Sequence, residues 1–289
     1  MSKLLVITNG NYFSRLILEK LVKTRQQEIA GIFLIDGDYK GKTGWRSLFF
    51  VGLKTCFPFL FAKCLQIAMF RISASIFPKA LLNVEKLAKD NNIKLFHFTS
   101  ISEDNAFEKA EQLKPGLIIS VSCPQRIPNR VLECAALGGI NIHSSLLPRY
   151  AGLAPYYWVL SKGEKLTGTT VHRIEHNFDE GNIIVQKKIA IPERSSSLEL
   201  FEMLARIGSH ILLEAVEKIE NGINGDSQDI TQKTYFSHPD LRSYLNLKQN
   251  GFKILRIQHL VSLIKGEIRL FRENLKSKQN KQNGGKLKP

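Results

Sequence analysis

The sequence predicts an α/β fold, in which a mostly parallel sheet carries helices on both faces and a short C-terminal extension follows. Two observations predict it. Short apolar runs of strand length alternate with segments whose apolar residues recur at helical spacing. The chain of 289 residues, 43% of them hydrophobic and 23% charged, is also long enough to bury one substantial core with room for a smaller appendage.

Taken in order, Leu4 to Thr8 reads as a buried strand ended by the turn residues Asn9, Gly10 and Asn11. Phe13, Leu16, Ile17 and Leu21 then recur at helical spacing, and Ile29 to Ile35 forms the second strand. Lys94 to Phe98 is the third, and a helix over Glu103–Leu113 leads to the fourth, Gly116 to Ser122. A helix over Asn129–Ala136 leads to the fifth, Gly139 to His143. Ligands of such sheets sit beyond the carboxyl ends of the strands, so the segments after Ser122 and Ile142 are the first places to look. Thr167–Ile174 and Ile183–Ile191 are β-branched runs separated by Asp179-Glu180-Gly181, which suggests strands joined by a polar turn. Ser196 to Glu199 spells a capping box. The apolar face Phe201, Leu204, Gly208, Ile211, Leu212, Ala215 and Ile219 follows it, and Gly222 stops that helix. The core therefore closes near residue 225. Residues 226–275 form the extension, and 276–289, with five lysines and no acids, read as a basic disordered tail.

A net charge of +15 favours anionic partners such as a polyanionic cofactor, a sugar nucleotide, RNA or an anionic membrane surface. The four cysteines, Cys56, Cys64, Cys123 and Cys134, form no C-x-x-C pair, and the first residues do not spell a secretory signal. Free thiols in a reducing, cytoplasmic setting are expected. Neither glycine-rich phosphate motif occurs in the first strand–helix turn, so a nicotinamide or a nucleoside triphosphate is not indicated.

The decisive stretch is Asn141-Ile142-His143-Ser144-Ser145-Leu146-Leu147-Pro148-Arg149-Tyr150-Ala151-Gly152. Strand alternation puts Asn141 and His143 on the same side of a strand end. An amide NH2 and an imidazole N–H can both donate to an oxygen that gains negative charge as a carbonyl turns tetrahedral, and His143 can handle the proton of an attacking amine. The competing reading of an isolated N-x-H is a polar strand end whose histidine bonds to backbone.

The motif has company. Asp179-Glu180-Gly181 follows at a fitting distance, after Thr167-Gly168-Thr169-Thr170-Val171-His172. The Asn-Gly strand end, the Leu18-Glu19-Lys20-Leu21 helix and the run Gly116-Leu117-Ile118-Ile119-Ser120 complete the pattern. Over residues 1 to about 222 the chain resembles the folate-dependent formyltransferases, whose members formylate methionyl-tRNA, glycinamide ribonucleotide or amino sugars. The resemblance implies a Rossmann-like formyltransferase fold over 1–225 and transfer of a formyl group from 10-formyltetrahydrofolate to an amine, with no metal. It implies that Asn141 and His143 hold the oxyanion and that Asp179 orients His143 and relays the amine's proton. Ser145, Leu146, Leu147 and Pro148 match the segment that contacts folate, and the loop Ser122–Ile127, with Cys123 and Ile127, matches the pterin pocket. Because amine formylation needs no covalent enzyme intermediate, Cys123 is expected to be an inert thiol rather than a nucleophile.

His172-Arg173-Ile174-Glu175-His176 spells H-x-x-E-H, a zinc signature that requires a helix. On a strand its histidines stand about 13 Å apart, too far for one metal. Residues 45–82 form a phenylalanine-rich insertion that Lys54, Lys63, Arg71 and Pro58 disqualify as a membrane span. It reads first as a helical hairpin covering the core and lining an acceptor site, and second as a weak anchor to an anionic membrane surface, which would make the protein peripheral to the membrane. Only some 65 residues follow the core, too few for the C-terminal barrel with which methionyl-tRNA formyltransferases hold tRNA. The expected acceptor is therefore a small amine such as a nucleotide-linked amino sugar. Initiator methionyl-tRNA is the alternative, supported by the lysine tail and the charge. A non-catalytic RNA- or membrane-binding relative is the reading from another class.

Overall fold

A computed structural model describes residues 2–38, 43, 54–76 and 83–269. Its centre is a seven-stranded sheet of order β3-β2-β1-β4-β5-β7-β8, built from β1 (Leu4–Thr8), β2 (Ile29–Ile35), β3 (Leu95–Phe98), β4 (Leu117–Val121), β5 (Gly139–His143), β7 (Leu166–Arg173) and β8 (Ile183–Ala190). The first five run parallel, and β7 and β8 extend the sheet antiparallel. These strands fall within a residue or two of their expected bounds.

Strand alternation splits the apolar residues between two layers. Leu4, Val6, Ile32, Leu34, Leu117 and Ile119 enter one core with the helices α1 (Tyr12–Arg25) and α7 (Ser197–Glu220). Leu5, Ile7, Phe33, Ile35 and Ile118 face the other way, toward α4 (Asp104–Leu113) and the short α5 (Asn129–Leu132). The α5 segment ends four residues before the expected Ala136. The sheet is thus covered on both faces, as parallel strands require.

The capping box forms. Ser196 Oγ accepts from Glu199 N, and Glu199 returns a carboxylate oxygen to Ser196 N. The apolar stripe of α7 lies against the sheet at Gly208, where an added Cβ would come within 2.8 Å of Ile142 Cδ1. Ile142 is the residue between Asn141 and His143, so this close approach clamps the strand that carries them.

Of the insertion, residues 54–76 are described: Lys54 is helical, and after a break at Thr55 and Cys56 the chain forms a 20-residue helix, α2 (Phe57–Ile76). The expected hairpin falls partly on residues 44–53 and 77–82, which lie outside the described residues. Pro58 falls in the first turn, where its missing N–H costs nothing. A further helix, α3 (Val84–Asp90), capped by the Asn83 side chain, precedes β3.

The C-terminal extension folds back onto the core. After β5 come β6 (Ala151–Gly152) and α6 (Pro155–Ser161). The extension's β9 (Tyr235–Phe236) pairs with β6, and its α8 (Leu241–Gln249) packs on α6, where Ser161 Oγ donates to Ser243 O at 2.8 Å. A last helical stretch, residues 257–269, buries Leu260, Leu263 and Ile264 and joins Glu267 to Arg15 at 3.0 Å. The expected basic tail, 276–289, lies outside the described residues.

Candidate functional site

Strand order reverses between β1 and β4, each feeding a connection that leaves in the opposite direction, and this is where open α/β sheets form their crevice. A cleft of about 670 Å³ opens there. Asn9 and Asn11, after β1, line it. So do Ser122 to Ile127, after β4, and Asn141 and His143 at the end of β5. Asn11 also caps α1 by accepting from Ser14 N at 2.9 Å, so the same residue starts a helix and borders the cleft.

Asn141, His143 and Asp179 converge at one end. His143 is 7% exposed, and its Nε2–H donates to Tyr150 O at 2.8 Å. That bond assigns the tautomer: in neutral His143 the lone pair sits on Nδ1, which faces Asp179 Oδ1 at 3.8 Å. Asp179 occupies the turn between β7 and β8 with φ 58°, a left-handed conformation that aspartate tolerates. Its other oxygen accepts from Gly152 N at 2.8 Å. Burial alone would raise the Asp179 carboxyl, but the His143 and His172 imidazoles beside it, which favour the carboxylate most when protonated, and the Gly152 N–H outweigh it. The carboxyl is held well below the usual carboxylate range.

The sequence reading weighed His172 only as a metal ligand and missed its place here. Antiparallel pairing of β5 with β7 sets Asn141 directly opposite His172. His172 Nδ1–H donates to Arg173 O at 2.7 Å, leaving Nε2 to accept from Asn141 Nδ2 at 3.1 Å. The same Nε2 lies 3.5 Å from Asp179 Oδ1. His172, 2% exposed, therefore touches two of the three residues. Its signals in the sequence are a histidine on a β-branched strand and a place in the Thr167–His172 run, and its contacts become legible once register is known.

The H-x-x-E-H motif does not form a helix: His172 is the penultimate residue of β7, while Glu175 and His176 lie in the loop beyond it. Arg126 donates to His176 O at 2.5 Å and approaches the Phe178 ring at 5.9 Å, joining the Ser122–Ile127 loop to the loop that carries Asp179.

Of the six residues expected to contact folate, Cys123 and Ile127 line the cleft, whereas Ser145, Leu146, Leu147 and Pro148 do not. Ser145 is fully buried and donates to Arg149 O and Tyr150 O, the same carbonyl that holds His143. Leu147 is 4% exposed; its N–H donates to Thr170 Oγ1 and its carbonyl accepts from Gln186 Nε2. Ser145 thus braces the carbonyl that holds His143, while Leu147 ties the segment to β7 and β8. Burial pushes the Cys123 thiol up to about 11, and it donates to Gln125 O at 3.2 Å. A thiol so held is protonated at neutral pH.

The cleft wall also carries basic side chains. Lys54, Lys63 and His238 line it, Lys63 lying 5.2 Å from the Tyr156 ring centroid. Burial, then the Lys54 ammonium, push His238 below the ordinary imidazole value.

A family model described as formyl transferase matches residues 72–216. The methionyl-tRNA formyltransferase of Thermodesulfovibrio yellowstonii is 34% identical over 152 residues, 53% of this chain and 49% of that protein. That of Kosmotoga olearia is 36% identical over 153 residues, with the same coverage. The chain spans about half the length of the curated relatives it matches. Among solved structures, an N-formyltransferase from Helicobacter canadensis in complex with folinic acid and dTDP-3-aminofucose superposes with a TM-score of 0.57. It is 18% identical, and the match covers 87% of this chain and 81% of that one. Glycinamide ribonucleotide transformylase 1 from Symbiobacterium toebii gives a TM-score of 0.55 at 17% identity, covering 77% and 89%. At these identities the likeness speaks for the fold, while the matched segment, which contains Asn141, His143, His172 and Asp179, speaks for the family. The chain belongs to the formyl transferase family.

Proposed function

We propose that the cleft transfers a formyl group from 10-formyltetrahydrofolate to an amine, with Asn141, His143 and Asp179 as the acting groups. The observation that carries this reading is the convergence of an amide, an imidazole and a carboxylate at one end of a cleft of about 670 Å³. The wall formed by Cys123, Pro124 and Ile127, with its main-chain amides and carbonyls, fits a flat ring bearing several hydrogen-bonding atoms. When bound there, the folate supplies the activated formyl carbon.

The protein's own residues do the rest. Asn141, its amide turned by His172, offers its second N–H to the carbonyl oxygen as that oxygen gains charge. His143, fixed through Nε2, presents Nδ1 to the reacting centre, where it accepts the amine's proton and, once charged, becomes a second donor to the oxygen. Asp179 stabilises that imidazolium and provides the next acceptor for the proton. Because its carboxyl stays ionised at neutral pH, it does this without first losing a proton of its own.

The acceptor is a small amine, such as a nucleotide-linked amino sugar. Tyr235, Ser237 and His238 of the C-terminal extension line the cleft, which favours a compact substrate, and Lys54 and Lys63 in its wall suit an anionic one. The second reading, initiator methionyl-tRNA, draws support from the curated relatives. The test is the release of tetrahydrofolate in the presence of 10-formyltetrahydrofolate and a panel of amino-sugar nucleotides, glycinamide ribonucleotide and methionyl-tRNA. Turnover with amino-sugar nucleotides is expected; turnover with charged tRNA alone would reverse the order of the two readings. Turnover with no amine, or turnover unaltered by Asn141→Ala and His143→Ala, would end the proposal.

A further inference from the structure

Helix α2 is apolar on two sides, and the fold covers one of them. Phe70 stacks on Tyr12 with centroids 4.6 Å apart, and Phe59 meets Tyr157 edge-on at 5.0 Å. On the opposite side Phe57, Phe61, Ile72 and Ile76 are 74%, 58%, 57% and 63% exposed. Their spacing, with Ala68 between, returns each to one helical face. The Phe57 and Phe61 rings stack on one another, 6.1 Å apart. On α8 Leu241 and Leu245 are also exposed, and Cys56 N–H donates to Pro239 O at 2.8 Å, tying the start of that helix to the start of α2.

The sequence that carries α2 is charged with one sign, and the nearby acid, Asp240, caps α8 by accepting from Ser243 N. Between Asp38 and Glu85 the sequence contains seven lysines and arginines and no acidic residue, in a chain of net charge +15. Lys54, three residues before α2, and Arg71, within it, are exposed. A single uncovered aromatic residue is ordinary, but a continuous apolar stripe inside an entirely basic stretch matches the two attractions of a membrane interface. Apolar side chains enter the acyl boundary while cations meet anionic headgroups. Among the described residues no helix is long and apolar enough to cross a membrane, so α2 has the make-up of a surface helix.

We propose that the exposed face of α2, with Leu241 and Leu245, docks on an anionic lipid surface. The opposite side of the same helix supplies Lys63 to the cleft, so the docked protein holds one cleft wall close to the lipid. The proposal is independent of the acceptor's identity.

Flotation of the full chain with vesicles tests it. The protein is expected to float with phosphatidylcholine vesicles containing about one-third phosphatidylserine and to stay behind with phosphatidylcholine alone. Added salt is expected to weaken the binding, as it screens charge over about 10 Å or less. The double variant Phe57→Glu/Phe61→Glu should lose at least about tenfold in bound fraction while keeping its melting temperature. Leu241→Glu/Leu245→Glu, on the other helix, should do the same and serves if the first variant fails to fold. No flotation of the unmodified chain with the anionic vesicles would overturn the proposal, as would flotation unchanged in both folded variants. A dimer in sedimentation that the substitutions dissociate, without vesicle binding, would assign the face to a second copy of the chain and also overturn it.

Discussion

Asp179 Oδ1 lies 3.8 Å from His143 Nδ1, the nitrogen left with a lone pair once Nε2–H is bonded to Tyr150 O. The contact is too long for a hydrogen bond but within ion-pair reach, so the carboxylate acts on His143 through charge, mainly after the imidazole gains a proton. Asp179→Asn keeps the size and the turn but removes that charge. Its kcat is expected to fall roughly a hundred- to ten-thousand-fold with little change in the acceptor's KM. Steady-state kinetics with the best amine would check this; an equal loss in kcat and binding would point to misfolding of the turn.

The same carboxyl makes a pH prediction for stability. Its folded pKa lies below the unfolded value, so folding is favoured by the ionised form. That contribution is complete above the unfolded value, about 4, and is lost as pH falls toward the folded one. The melting temperature of the parent chain should therefore drop more steeply than that of Asp179→Asn as the pH goes from about 5 to 3. Parallel curves would contradict it.

His172 is predicted to be a positioning residue. Removing its ring in His172→Ala frees the Asn141 amide and should lower kcat about tenfold with the amine's KM unchanged. Adding Asn141→Ala to it should cost far less than Asn141→Ala alone, because the two act as a unit. His172→Gln, which keeps an acceptor for the amide, should recover part of the loss. Additive losses in the double variant would separate the two residues.

Gly152 has φ +96°, and a Cβ there would stand 2.2 Å from Phe236 O. Gly152→Ala must shift the β6–β9 pairing and with it the N–H that Asp179 accepts. The unfavourable φ alone costs about 1 kcal/mol, and the backbone contact adds to it. A fall of at least about 2 °C in melting temperature is expected, together with reduced kcat. Calorimetry and kinetics on the same preparation would check both.

Cys123, with its thiol raised to about 11, should react with iodoacetamide near neutral pH on the order of a hundred times more slowly than free cysteine, and faster as the pH climbs. Peptide mass spectrometry reads this site by site. Reaction as fast as free cysteine would refute the burial account, and Cys123→Ser should retain transfer.

How much of this was legible beforehand follows the range of the interactions. The strands, the capping box from Ser196 to Glu199 and the α7 stripe were readable because turn chemistry, caps and helical spacing act within a few residues. The triad was readable for the same reason in part: Asn141 and His143 share a strand face, and Asp179 came with the family resemblance. Which side of α2 meets the core escaped, since a segment apolar on two sides fits several packings and its own sequence does not choose. Ser145 to Pro148 also escaped, because a motif says which residues recur and not which way their polar groups turn.

By itself the sequence determined the α/β layering, the two site residues on β5, the aspartate in the later turn and the strongly basic character of the chain. Tertiary structure alone decided that β7 runs antiparallel to β5 and so sets His172 opposite Asn141. It also decided that His143 spends Nε2 on Tyr150, and that the extension folds back to line the cleft with Ser237 and His238. Register and tautomer depend on partners far apart in the chain, and no local pattern encodes them until the sheet has closed.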